Sequence, residues 1–187
     1  MKNDHKLYMI MLGCRPKGRF TEQHDIFFGI GKSMKDLIPQ MKSFWPEAKG
    51  QIHIDVWREV TVVDNYTIEV VAKNAANTSE AQLFFVNLGG YKENEFEEFH
   101  YKILTVASSL GEATKKSKET SFYKHCGFKG ATSHVDDKYG VDIDDLYNVK
   151  EILTLNLLEQ FELQITKSEN FIEDVLHIGY LKLEKIE

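Results

Sequence analysis

Leu7–Gly13 reads LYMIMLG, and Leu83–Gly89 reads LFFVNLG. Each is a near-continuous apolar run closed by glycine, the pattern of a strand buried on both faces. The likeness extends outward from the two runs. Laying Leu7 over Leu83 and continuing without a gap to Leu37 over Ala113 gives further identities at Leu12/Leu88, Gly13/Gly89, Phe20/Phe96, Glu22/Glu98, His24/His100 and Ser33/Ser109. After small insertions, Ser43-Phe44-Trp45 falls over Ser121-Phe122-Tyr123, and His53-Ile54-Asp55 over His134-Val135-Asp136. The order is kept throughout. Two copies at so long a period do not make a solenoid, so the expectation is tandem duplication of one small domain.

Each copy yields the same elements. The first strand covers Leu7–Leu12, and a polar loop with glycine and proline follows. Residues 23–30 (QHDIFFGI) form a second strand. Ser33 then caps a helix over Met34–Trp45, with Asp36 three residues on. Its counterpart runs over Leu110–Tyr123, where Ser109 and Glu112 have capping-box spacing. Pro39 lies inside the first helix and is expected to kink or shorten it. Alternation resumes at Ile52, Ile54 and Val56, and again over Tyr66–Val70 after a turn at Asp64-Asn65. In the second copy an acidic insertion, Asp137–Asp145, precedes Tyr147–Leu153, and Phe161, Leu163 and Ile165 alternate like Tyr66, Ile68 and Val70. A strand at His177–Leu183 has no counterpart. The expected class is α+β: two tandem β-β-α-β-β repeats, mainly antiparallel, one helix each, related by a pseudo-twofold axis. The repeats span residues 1–73 and 81–187, the latter with the C-terminal strand, and the polar stretch Lys73–Glu80 separates them.

Composition narrows the function classes. The 187 residues are 42% hydrophobic and 28% charged, with net charge -6. Without a basic bias, nucleic acid is a poor partner. No apolar run approaches bilayer-spanning length. Leu12-Gly13-Cys14 after an apolar run superficially resembles a lipoprotein leader, but the run is short, Asp4 sits in what should be a positive region, and the pattern recurs in mid-chain. Cys14 and Cys126 are too few for a disulfide framework, so a reducing, cytoplasmic setting is expected.

Tyr8–Gly31 (YMIMLGCRPKGRFTEQHDIFFGIG), Phe44–Val60 (FWPEAKGQIHIDVWREV) and Leu83–Tyr101 resemble the bacterial family called domain of unknown function 1543. The likeness reaches the later SHVDDKYGVDIDD segment and so covers most of the chain. It implies a protein with one or two copies of that domain. It implies no catalytic residues.

The chemistry-bearing set is Glu22, His24, His53 and Asp55, mirrored by Glu98, His100, His134 and Asp136. Within each pair the spacing is i, i+2, which in a strand puts both side chains on one face. If the two strands are neighbours, two imidazoles and two carboxylates converge. That mixture suits Zn²⁺, Mn²⁺ or Fe²⁺ and also acid–base work. A polar cluster that only pins the fold stands ahead of it, because no recognised ligand spacing is present. Arg15, Lys17 and Arg19, in the loop GCRPKGR, form a candidate anion site weighed against a solvated basic loop tip. Those cations would also lower the pKa of Cys14. Gly31-Lys32-Ser33 lacks the earlier glycine of a phosphate loop, since Ile26 stands there. The acidic stretch Asp136–Asp145 misses the calcium-loop register and reads as a solvated loop.

No complete catalytic motif is present. The leading expectation is therefore a non-enzymatic module that binds a small ligand or a protein between the repeats. The rival is a metal-dependent, hydrolase-like enzyme using the Glu-x-His and His-x-Asp pairs. Exposed strand edges need covering, by each other or in a homodimer.

Overall fold

Residues 4–74, 79–91, 94–119, 141–169 and 172–186 are described by a computed structural model. Strand β1 (Lys6–Cys14) puts Tyr8, Ile10, Leu12 and Cys14 on one face and Leu7, Met9, Met11 and Gly13 on the other. Both sets are largely buried, as a double-sided apolar run requires. It lies between β2 (Gln23–Gly31) and β3 (His53–Val60), and β10 (His177–Lys182) borders β3, giving the order β10-β3-β1-β2. Tyr8, Ile10, Leu12 and Cys14 pack with Phe27, Leu37, Met41, Ile54 and Leu183 into one core. The helix that covers this face is shorter than Met34–Trp45. Met34–Leu37 is a 3-10 turn, and α1 spans only Ile38–Phe44. Pro39 falls in its first turn, where a missing N–H costs nothing.

A second sheet has the order β4-β5-β9, with β4 at Val62–Val63, β5 at Tyr66–Ala72 and β9 at Phe161–Lys167. The expected turn at Asp64-Asn65 joins β4 to β5. Both residues have positive φ, 49° and 65°, as a two-residue hairpin loop demands. Ile68 pairs with Ile165 and Val70 with Leu163, so the similar alternation of the two segments makes them neighbours.

The third sheet has the order β7-β6-β8, from β6 (Gln82–Tyr91), β7 (Glu98–Ala107) and β8 (Val141–Asn148). Helix α2 (Leu110–Ser117) packs Ala113 against Phe84 and Ala107. Its cap combines two serines: Ser109 Oγ accepts from the Glu112 N–H, while the Glu112 carboxylate takes the Ser108 N–H at 2.8 Å. Short helices α3 (Val149–Ile152) and α4 (Leu155–Gln160) follow β8. The Asp137–Asp145 stretch is therefore no simple insertion, since its described end is strand β8, and much of Tyr147–Leu153 is helix α3.

Every described pairing is antiparallel, and the class is α+β. The compact units differ from the boundaries at 1–73 and 81–187. One unit is Met1–Asn77 with Leu153–Glu187, and the other is Thr78–Ile152. The reason is pairing: β9 bonds to β5 and β10 to β3, which places the C-terminal segment in the first unit. No described helix is long and apolar enough to cross a membrane. Ser121, Phe122, Tyr123, Cys126, His134 and Asp136 lie outside the described residues.

Candidate metal centre

In the first unit Gly13 stands opposite His24 on β2 and His53 on β3. Directly opposed residues share a face, so both imidazoles lean over the one position of β1 without a side chain. A Cβ on Gly13 would lie 2.6 Å from Asp55 Oδ2 and closer than 3.0 Å to His53 Nε2. The glycine is there to make room. Asp55 reaches the same place by a β-bulge. Met11 pairs with Val56 and Leu12 with Ile54, so Asp55 is the unpaired extra residue, and the bulge re-aims its carboxylate. Glu22 enters two residues before His24, on the same side.

The four side chains close a ring. His53 Nε2 is 3.0 Å from Glu22 Oε1 and 3.4 Å from Asp55 Oδ2. His24 Nε2 is 3.3 Å from Asp55 Oδ2 and 3.7 Å from Glu22 Oε2. Charge-assisted hydrogen bonds are shorter, about 2.7–2.9 Å. Atoms held by a tetrahedral zinc at about 2.0–2.1 Å stand about 3.3–3.4 Å apart, the middle of the range of 3.0 to 3.7 Å found in this ring. His53 Nε2 and Asp55 Oδ2 are buried and, among the described residues, have no hydrogen-bond partner despite their near neighbours. The His53 side chain is only 9% exposed, whereas Glu22 and His24 are 45% and 43% exposed, so the ring has a closed floor and an open rim. Tyr180 of β10 lies against the His53 ring, centroids 4.4 Å apart, and holds its plane.

The second unit repeats this register. Gly89 stands opposite His100 on β7 and Asp142 on β8. Asn87 pairs with Asp145 and Leu88 with Ile143, so Asp144 is the bulged residue, and a Cβ on Gly89 would collide with its carboxylate. Glu98, His100 and Asp144 offer ligand atoms all within 4.8 Å of one another. The positional match to Asp55 is Asp144, and the match to His53 is Asp142. His134 and Asp136, the counterparts by sequence, lie outside the described residues. The signal was present in VDIDDL, where Ile143 and Leu146 are three apart because a bulge interrupts the alternation. Lys102, on the same face as His100, is partly buried, which pulls its pKa down, while Asp144 pushes it back up.

The other candidates lie apart. Arg15, Lys17 and Arg19 are exposed on a turn, where Arg15 Nε donates to the Arg19 carbonyl at 3.3 Å and Gly18 has φ 87°. Cys14 points into the core beneath them. Burial pushes its thiol up, and Glu22 adds to that, so the expected lowering by the loop cations does not occur.

Fold and side-chain geometry together define an α+β domain that gathers two imidazoles and two carboxylates over a glycine. Residues 19–70 match the family model described as Domain of Unknown Function (DUF1543), a stretch that holds all four residues of the ring. A crystal structure of a protein Il1583 from Idiomarina loihiensis is similar in fold, with TM-score 0.62 and 22% identity, covering 96% of this chain and 98% of that one. No curated protein matches.

Proposed function

We propose that this chain is a divalent-metal-binding protein, built by duplication of a β-β-α-β-β unit, whose principal centre is Glu22, His24, His53 and Asp55. One observation carries the metal: two buried polar atoms, His53 Nε2 and Asp55 Oδ2, lack hydrogen-bond partners among the described residues, inside a ring spaced like metal ligands. Leaving such atoms unsatisfied costs about 1–3 kcal/mol each. A structural zinc supplies about 10–16 kcal/mol in small peptides, enough to offset that cost several times over. Pinning of the fold alone is disfavoured, because a pinning cluster would satisfy these atoms rather than orphan them. For the same reason metal is preferred to the ligand- or protein-binding module that the sequence alone put first. Two imidazoles with two carboxylates select Zn²⁺, Mn²⁺ or Fe²⁺ over all-oxygen Ca²⁺ and Mg²⁺.

The duplication is supported by the glycine, the opposed histidine and the bulged aspartate, which hold the same register in both units. Four protein ligands at tetrahedral spacing make a closed, structural coordination sphere; metal-assisted hydrolysis would require one of the exposed rim residues, Glu22 or His24, to give up its position to water.

Elemental analysis of protein purified without a metal-affinity tag tests the proposal. The expected result is Zn, Mn or Fe retained through gel filtration and lost in both His53→Ala and Asp55→Asn. A metal-free protein whose melting temperature falls on the same substitutions would return the cluster to a purely structural role.

A further inference from the structure

We propose that the second unit holds a second and different metal site, formed by Glu98, His100 and Asp144, open to solvent and selective for the harder ion Mn²⁺. The three ligand atoms lie within 4.8 Å of one another, and His100 Nε2 is 3.3 Å from Asp144 Oδ2. That separation again has the spacing of ligands on one ion, about 3.0–3.4 Å for bonds near 2.1 Å, rather than of a short charged hydrogen bond. The cradle is built as in the first unit: a glycine without which the carboxylate could not fit, a histidine opposite it, and a bulge that turns the aspartate inward. A hydrogen bond from the Tyr91 hydroxyl to Glu98 orients one ligand from outside, as outer groups do around metals.

What differs is the donor set. No imidazole stands at the register position of His53, where Asp142 lies opposite Gly89. Among the described residues the donors are one imidazole and two carboxylates, a set that shifts preference from Zn²⁺ toward Mn²⁺ and leaves positions for water. His100 and Asp144 are 35% and 23% exposed, close to the 43% and 26% of their counterparts His24 and Asp55, and no described imidazole closes the floor as His53 does in the first unit. The smaller donor set makes binding weaker and exchangeable. Lys102 competes. It brings a positive charge to the face that carries His100, within electrostatic reach of Asp144, where Ile26 holds the aligned position in the first unit.

The test is Mn²⁺ titration of the full chain followed by electron paramagnetic resonance, after saturation with Zn²⁺ at a level that fills only the tighter centre. Wild-type protein should bind one further Mn²⁺. Asp144→Asn and His100→Gln should each weaken it at least tenfold, with unchanged melting temperature in the absence of metal. Lys102→Met should tighten it several-fold, and His53→Ala should leave it in place. Mn²⁺ binding that is absent in wild type, or insensitive to both Asp144→Asn and His100→Gln, overturns the second site. Loss of melting temperature in Lys102→Met without any gain in Mn²⁺ would mean that Lys102 itself is the cation at Asp144. Failure of the first centre reads out separately, as protein that retains no Zn²⁺ while Asp144-dependent Mn²⁺ binding persists.

Discussion

At Gly13 the missing side chain is the functional group. Its backbone is ordinary for a strand, so alanine fits the dihedrals and fails only on space. Gly13→Ala is expected to push His53 and Asp55 off the ring, abolish metal retention at the first centre and destabilise by roughly 1–3 kcal/mol, the usual cost of overpacking. Metal content together with thermal unfolding checks this. Gly111→Ala on α2, with open space around it, is the control. Glu22, His24, His53 and Asp55 were all legible as candidates, because i, i+2 spacing in strands puts side chains on one face. The part played by Gly13 was not. A glycine ending an apolar run looks the same whether it begins a turn or clears a cavity.

Strands β1 and β3 bring a different trio together away from the metal ring. Tyr8 pairs with Glu59, and the Lys6 ammonium reaches the same carboxylate at 2.6 Å. Burial first, and then the Glu59 charge, push the Tyr8 phenol up to about 12. The unfolded chain ionises this group near its ordinary value of 10.0, so between pH 10 and 12 the folded state holds the proton more tightly. Stability contributed by Tyr8 is complete below pH 10 and is lost as pH rises toward 12. Thermal melts of wild type and Tyr8→Phe across that window should differ in slope, the wild type falling more steeply; parallel curves would refute the assignment. Element boundaries show where sequence reading stops. Strands β1, β2, β5 and β9 were legible from apolar runs and alternation. Strand β8 was not, because its bulge at Asp144 breaks the period of two and disguises a strand as an acidic loop. Helix α1 shrank for an identifiable reason: Pro39 belongs in a first turn, so the turn before it is 3-10.

The first unit is discontinuous in sequence. Thr78–Ile152 separates β5 from its partner β9, and β10 closes on β3, the strand that carries His53 and Asp55. Asp174 adds a clamp, accepting the Thr61 N–H at 2.9 Å and the Val62 N–H at 3.3 Å. A chain ending at Ile152 is therefore expected to expose β5 and β3, lower the melting temperature and lose metal at the first centre. Circular dichroism and elemental analysis of that truncation decide the matter; full metal retention would show that β10 and its Tyr180 are dispensable.

By itself the sequence determined the α+β class, most strands, the capped second helix and the acid–histidine pairs. All of these rest on local periodicity and local spacing, which a linear chain carries in full. Only the tertiary structure decided that His24, His53 and Asp55 meet over Gly13, that Asp144 joins Glu98 and His100, and that the C-terminal strand completes the first unit. Those outcomes depend on strand register, and one bulged residue changes which side chain faces the cavity without changing anything that composition or periodicity measures.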